Sequence, residues 1–287
     1  IKNNNVYQAE LPHLFQVPTL LPTNNKIVLP EDFIPVLQGI DGANFKYSIA
    51  QKRFIYRVPV SPYLNNAILN VSIVGCVIKT LNNYIELSSF KNDGISRQYV
   101  ATVIRSMVNK HSLFVSTLQQ KFHTLSAQQL ISLLLSPDIE KLKAAAIICT
   151  NIIHKKGCSL FNTLHLFLTH GNKNISEVAS EMEKKCFEFI DSLIRTWITQ
   201  GRVSDPFSEF FIQCNKSIRL CSEWWSGRFS LIDKELLPVT LNQETINLIQ
   251  GRYSIFFENG TNLLHLQLIL RYHLMNLFKY HQNKQLN

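Results

Sequence analysis

The sequence predicts an all-α protein, an irregular elongated helical bundle with a small β-hairpin near the N-terminus. Three observations support this fold class. Apolar residues recur every three or four positions through most of the chain, which is the period of an amphipathic helix. Gly, Pro and Asn interrupt that pattern at irregular intervals, and no fixed repeat length relates the segments, which argues against a simple helical repeat array. One short stretch alternates instead and is rich in aromatic residues, as hairpins are.

Size and composition fit one large domain. The chain has 287 residues and a mass of 33.1 kDa, with 46% hydrophobic and 17% charged residues. This apolar content is high enough to build a core and excludes a wholly disordered chain. We expect an extended arm over residues 1–30, because four prolines interrupt it, and one helical domain over residues 31–287. The chain does not begin with Met, so we expect it to be part of a longer protein.

The first elements of the domain are short. A helix is expected over residues 31–38, and it should end at Gly39. Gly39 and Gly42 flank Asp41, a composition that indicates a tight turn. The alternating aromatic residues of 45–47 and 53–57 then predict the hairpin.

The long helices follow. Apolar spacing predicts helices over about 64–87, 100–122, 126–135 (with apolar residues from 130 to 135), 137–153, 160–167, 174–198, 243–257 and 262–280. Ser126 and Gln129 have the spacing of a capping box, in which each side chain bonds the other residue's backbone amide. Gly157 is expected to end the helix over 137–153. Residues 205–212 are expected to be extended, with alternate side chains on opposite faces.

The charge pattern narrows the class of partner. The formal net charge is +9, but the basic residues are scattered and form no run denser than a pair. We therefore expect no nucleic-acid binding and favour a solvated surface or a face that docks an acidic protein. No apolar run approaches the length that a spanning helix needs, so no membrane insertion is expected. The six cysteines include no C-x-x-C pair and are expected to be reduced.

The chain carries no motif for a phosphate-binding loop or a nucleophile elbow. Four residues have ligand chemistry but no spacing that matches a closed zinc site: Cys149, His154, Cys158 and His165. Asp205 and Glu209 could serve as an acid and a base, but the better interpretation is structural. In that interpretation Asp205 closes a turn before Pro206, and Glu209 pairs with a buried Arg. We expect no catalytic residues, no cofactor and no metal.

Three segments carry a family resemblance. The first is Gln38-Gly39-Ile40-Asp41-Gly42, preceded by Pro35-Val36-Leu37. The second is Trp197-Ile198-x-x-Gly201 followed by Asp205-Pro206-Phe207-Ser208-Glu209-Phe210-Phe211-Ile212. The third is Trp225-x-x-Arg228-Phe229-x-Leu231 followed by Leu237-Pro238. In this order they resemble the gamma-tubulin complex components, also called spindle pole body components, and the first segment favours component three or component two.

The resemblance is to a divergent member. Where the family has a G-K-S-x-N-F-L segment, this chain has Gly251-Arg252-Tyr253-Ser254-Ile255-Phe256-Phe257. The resemblance covers the N-terminal helical domain of the family, which packs laterally against neighbouring components, and it implies that the second, gamma-tubulin-binding domain is absent from this chain. The motif residues themselves are expected to be either architectural or part of the lateral interface.

The resemblance implies a non-enzymatic scaffold that templates microtubule nucleation at microtubule-organising centres, such as spindle poles or centrosomes. The implied partners are other gamma-tubulin complex components and, through the missing domain, gamma-tubulin itself. The implied location is the cytoplasm and cytoskeleton. Two alternatives remain open at this point: a helical-rod tether subunit in membrane traffic, and an enzyme that uses Asp205 and Glu209.

Overall fold

The structure is a computed structural model, and it describes residues 29–59, 61–89, 94–200, 202–215, 217, 228–232, 237–241, 246 and 249. Its helices are α1 (Phe33–Leu37), α2 (Pro62–Ser89), α3 (Ile95–Lys121), α4 (Ala127–Leu134), α5 (Pro137–Ile152), α6 (Gly157–Phe167) and α7 (Lys173–Gln200), with a 3-10 turn at Phe122–Thr124. Its strands are β1 (Phe45–Ser48), β2 (Arg53–Tyr56), β3 (Ile212–Cys214) and β4 (Phe229–Leu231). The predicted fold class is confirmed: the protein is helical, with a small hairpin near its N-terminus.

Contacts within the chain cluster into two compact units. The first contains residues 1–87, 102–153 and 172–178, and the second contains residues 88–101, 154–171 and 179–287. Residues of α3 and α7 fall in both units. The predicted arm (1–28 of its 30 residues) and the predicted helix over 262–280 lie outside the described residues, as does the predicted helix over 243–257 except for Ile246 and Ile249, which are helical and buried.

The first unit is built around the hairpin and α2. β1 and β2 pair antiparallel, with Phe45 opposite Tyr56 and Tyr47 opposite Phe54. The rings of Phe45 and Phe54 are buried and lie edge to face, 6.3 Å apart. α1 packs closely on α2 because Gly75 has no side chain: a Cβ at that position would lie 2.6 Å from the Val36 carbonyl oxygen.

α2 is longer and more apolar than the sequence pattern predicted. The sequence has no uninterrupted apolar run of spanning length, yet Pro62–Ser89 is one helix of 28 residues that is long and apolar enough to cross a bilayer. Its interruptions are mostly uncharged Asn, Ser and Thr, which leave the average apolar. About 61% of its most apolar window is buried inside the protein, and a core helix of this kind passes the same test.

The capping box at the start of α4 is confirmed. The backbone N–H of Gln129 donates to Ser126 Oγ at 3.2 Å, and the backbone N–H of Ser126 donates to Gln129 Oε1 at 2.9 Å. These two bonds satisfy amides that the first turn of a helix would otherwise leave without a partner.

The second unit contains two corrections. Gly157 does not end a helix; it is the first residue of α6, and α5 has already ended at Ile152. Residues 205–212 are not an alternating extended stretch. Ser208 has a φ of 55°, Glu209 through Ile212 are all buried, and only Ile212 belongs to a strand. The positive φ of Ser208 turns the chain, and this turn brings consecutive side chains into the core.

A second antiparallel pair, formed by β3 and β4, was not predicted. Ile212 lies opposite Leu231 and Cys214 lies opposite Phe229. Each strand has only three residues, too few for a periodic signal in the sequence. The apolar stripe predicted for α7 is confirmed, since all six of its residues are buried: Ile175, Val178, Met182, Phe189, Leu193 and Trp197.

Candidate functional site

The first resemblance segment forms a turn after α1, which we call the motif turn (residues 38–42). Gly39 has a φ of +76°, a left-handed conformation that glycine adopts without strain. A Cβ there would also lie 3.1 Å from the backbone nitrogen of Lys79 on α2. The position therefore requires glycine both for its backbone conformation and for the close approach of α2.

Carboxylates at the motif turn hold the base of the hairpin. Asp41 Oδ1 accepts a hydrogen bond from the Tyr47 amide at 3.1 Å, and the Gly42 amide donates to the Phe45 carbonyl at 2.8 Å. Asp32, which sequence analysis did not single out, accepts from the amides of Ala43 and Asn44 at 2.9 and 2.7 Å. These bonds satisfy backbone groups on the outer edge of β1 and in the residues that lead into it.

Two residues of the motif turn have side chains available for other contacts. Gln38 is half-buried, and Ile40 is 57% exposed. The helix before the turn is fixed by His111 of α3, whose Nε2 lies 2.8 Å from the Leu37 carbonyl oxygen. Burial lowers the pKa of His111, so the neutral ring that donates to this carbonyl is favoured.

The second segment forms a buried corner in the second unit, which we call the Glu209 corner (residues 205–212). Asp205 closes its first turn: one carboxylate oxygen accepts from the Phe207 amide at 3.3 Å and the other from the Phe210 amide at 2.7 Å. Pro206 is exposed at the apex of this turn. The rings of Phe210 and Phe211 are buried, 4.4 Å apart.

Glu209 caps a helix that is distant in sequence. Its side chain is only 3% exposed, and its carboxylate accepts hydrogen bonds from the amides of Ile95 and Ser96 at 2.6 and 3.2 Å, and from the Ser96 hydroxyl. These are the first two amides of α3, a helix with no acidic residue in its own first turn. A negative charge at this helix end is favourable because it compensates the free N–H groups and the helix dipole.

The Glu209 corner also meets the start of α6. Gly157 has a φ of +56°, and a Cβ there would lie 2.7 Å from Glu209 Cα. The Gly157 amide donates to Ser96 Oγ at 2.8 Å, and the Cys158 thiol donates to the Glu209 carbonyl at 3.6 Å. One glutamate therefore joins the N-termini of two helices. The hydrogen bonds described on its carboxylate come from backbone amides and a serine, where sequence analysis expected an arginine.

The remaining resemblance residues pack nearby in the same unit. The indole N–H of Trp197 donates to the Ile249 carbonyl at 2.8 Å, and its ring lies edge to face on Phe229, 4.8 Å away. Pro238 is buried, and Asn162 of α6 fixes the segment around it by donating to the Leu237 carbonyl and accepting from the Val239 amide. Gly201 and Trp225 lie outside the described residues.

Three of these contributors were missed by sequence reasoning: Asp32, Ser96 and Asn162. Asn162 carries a weak signal, since Asn is a poor helix former in the middle of a predicted helix. Asp32 precedes a short helix like an ordinary cap, and Ser96 looks like any polar residue on a helix. Their partners are distant in sequence, so local pattern gives no indication of them.

The carboxylates of the Glu209 corner act as hydrogen-bond acceptors. The carboxylates of Asp205 and Glu209 both accept backbone amides, and Glu209 is buried away from solvent. Burial, with the nearby charges of Asp205 and Glu209, raises the pKa of Cys158 to about 12, so this thiol is a poor nucleophile. Within the described part of the chain, no group of three or more His, Cys, Asp or Glu could hold a metal ion.

Comparison with known proteins gives the family. The family model described as "Gamma tubulin complex component N-terminal" matches residues 31–281. The chain belongs to this family. The match covers the motif turn, the Glu209 corner and the Pro238 segment, and it includes residues outside the described part of the structure.

Similar gamma-tubulin complex proteins share only about a fifth of their residues with this chain. Spindle pole body component 98 of Dictyostelium discoideum is 21% identical over 77% of this chain, and gamma-tubulin complex component 3 of Homo sapiens is 20% identical over 83%. Gamma-tubulin complex component 2 of Arabidopsis thaliana is 24% identical over 83%. The chain spans 35%, 27% and 38% of the length of these three relatives, about a third.

Proposed function

We propose that this chain is a non-enzymatic scaffold of the gamma-tubulin complex, which packs laterally on neighbouring components and so templates microtubule nucleation. The observation that carries the proposal is the family match over residues 31–281. The geometry is consistent with it, because the carboxylates of Asp41, Asp205 and Glu209 all accept backbone hydrogen bonds, as structural residues do.

The proposed partners are other gamma-tubulin complex components, and gamma-tubulin through a separate C-terminal domain. The proposed location is the cytoplasm and cytoskeleton, at a microtubule-organising centre or spindle pole. The scaffold role requires no cofactor, nucleic acid or membrane insertion. It requires long, stiff elements that hold their faces in fixed positions, and α2, α3 and α7 each have at least 27 residues.

Affinity capture of the full-length protein from its own cells tests the proposal, with co-purifying chains identified by mass spectrometry. We expect gamma-tubulin and sister components. A matched variant that lacks residues 31–281 separates the two roles: it should lose the sister components and retain gamma-tubulin. Recovery of vesicle-tethering subunits, or an unchanged set of sister components without residues 31–281, would contradict the lateral scaffold.

A further inference from the structure

The hairpin lies in a segment of unbalanced charge. Residues 42–85 contain five Lys or Arg and no Asp or Glu, so this part of the first unit has a formal charge of +5. Four of the five belong to the hairpin and its immediate flank: Lys46, Lys52, Arg53 and Arg57. The fifth, Lys79, lies on α2 and its ammonium group sits 4.6 Å from the centre of the Tyr47 ring, a cation-π contact.

The strand register places three of these cations on one face, which we call the outer hairpin face (Lys46, Arg53, Ile55 and Arg57). Lys46 lies opposite Ile55, so their side chains share a face. Arg53 lies two residues before Ile55 in β2 and therefore points the same way. Arg57 follows the end of β2, but its amide extends the ladder by donating to the Asn44 carbonyl at 3.0 Å, so the same alternation places it on this face. Both arginines are exposed, and they are about 13 Å apart by strand geometry.

Among the described residues, no carboxylate forms an ion pair with Lys46, Arg53 or Arg57 of the outer hairpin face. Arg53 Nε donates to Gln51 Oε1 at 2.9 Å, which is a neutral partner. The carboxylates of Asp32 and Asp41 accept backbone amides at the base of the hairpin. Residues 1–28 contain a single acidic residue, Glu10, so the predicted arm cannot balance this charge.

The edges of the hairpin are already used, which excludes one common way of binding a peptide. On β1, the Tyr47 amide donates to Asp41 and the Phe45 carbonyl accepts from Gly42. On β2, the Phe54 carbonyl accepts from Ser72 Oγ of α2 at 2.7 Å. Because these groups face away from the hairpin ladder and already have partners, a third strand would have to displace these bonds. A ligand that lies across the face keeps them.

We propose that the outer hairpin face binds an acidic segment of a partner protein, with carboxylates on Lys46, Arg53 and Arg57 and an apolar contact on the half-buried Ile55. Charge complementarity identifies the occupant. A bilayer fits less well, because the cations lie along the strands and the tip offers only one large apolar side chain, Ile49. Nucleic acid fits less well because the Tyr47 ring lies on the opposite face under Lys79, which leaves no aromatic platform among the outer-face residues. The argument for this surface rests on the charges and register of the hairpin and does not use the lateral packing proposed above.

The test uses the full-length protein and a fluorescent peptide of alternating Glu and Thr, whose carboxylates repeat at strand spacing. The variant R53E/R57E should weaken peptide binding roughly tenfold or more at about 50 mM salt, because two attractions become repulsions. The matched control is R105E/K110E on α3, where both residues are exposed in the same unit and the net charge changes equally. It should weaken binding less than roughly threefold, since neither residue belongs to the outer hairpin face and only the overall charge changes.

Circular dichroism and unfolding midpoints establish that both variants are folded, and R53Q/R57Q provides a milder substitution that should give an intermediate loss. The proposal is overturned if the control weakens binding as much as R53E/R57E, or if the peptide does not bind the wild-type protein. It is also overturned if R53E/R57E leaves peptide binding intact and abolishes binding to phosphatidylcholine vesicles with about 30% phosphatidylserine, because the face would then recognise lipid.

Discussion

Replacing Glu209 by Gln removes one buried negative charge and one acceptor oxygen from the N-terminus of α3. The wild-type carboxylate accepts from the amides of Ile95 and Ser96 and from the Ser96 hydroxyl. A Gln side chain has one oxygen, so it can keep the bond from Ile95 but turns an N–H group towards Ser96. Loss of the charge at a partly buried helix end costs up to about 2 kcal/mol. A buried donor without its acceptor costs about 1–3 kcal/mol. We therefore expect E209Q to lower the free energy of unfolding by about 2–5 kcal/mol.

Urea unfolding measures this loss, and hydrogen exchange locates it. The amides of Ile95 and Ser96 should exchange faster in E209Q. The matched control is E188Q, in the same unit, where Glu188 pairs with Lys185 at 2.8 Å and both side chains are about 40% exposed. That surface pair should contribute less than about 0.5–1 kcal/mol. A loss in E209Q below 1 kcal/mol, or no larger than that of E188Q, would refute the argument that Glu209 joins two helix ends.

Three further predictions concern other local features. Gly157→Ala should destabilise the protein by about 2–4 kcal/mol in urea unfolding, because alanine is strained at a φ of +56° and its Cβ would collide with the backbone of Glu209; a loss below 1 kcal/mol would contradict this. Stability should fall as the pH drops below about 6.5, by at most about 1.4 kcal/mol per pH unit from His111, because the unfolded ring takes up a proton that the buried ring resists. His111→Gln does not titrate and should reduce that slope; an unchanged slope would assign it to other groups. Ser126→Ala should cost about 1 kcal/mol in thermal unfolding through loss of the capping box, and no change would mean that the cap is replaced by solvent.

The sequence was sufficient for elements whose cause is local. Long amphipathic periods predicted α2, α3 and α7, the alternating aromatic residues predicted the hairpin, and the spacing of Ser126 and Gln129 predicted the capping box. Gly157 shows where local reasoning fails. A glycine after a helical pattern is usually a stop, but here its positive φ begins α6, and the reason is the backbone of residue 209, fifty-two positions later.

The candidate site was predicted as a set of residues but not as a set of contacts. Asp205 closes a turn over its own next residues, an interaction of short range that a Pro in the following position already indicates. Glu209 acts on residues more than a hundred positions earlier, so its role as a cap for α3 leaves no local pattern. The prediction that residues 205–212 are extended was wrong. Their apolar residues alternate as in a strand, but a tight turn at Ser208 buries the neighbouring side chains of 209–212 together.

We propose that the buried residues of the resemblance segments and the surface that chooses partners are different parts of this molecule. The carboxylates of Asp41, Asp205 and Glu209 accept hydrogen bonds from backbone amides within their own units. They therefore stabilise turns and helix ends, where the backbone lacks regular hydrogen-bond partners. Such residues can identify a family without contacting anything outside it. Selection among partners must then rest on exposed positions, where a side chain can change without disturbing the fold. The cations of the outer hairpin face meet that condition, since their removal leaves every described hydrogen bond at the edges of the hairpin in place.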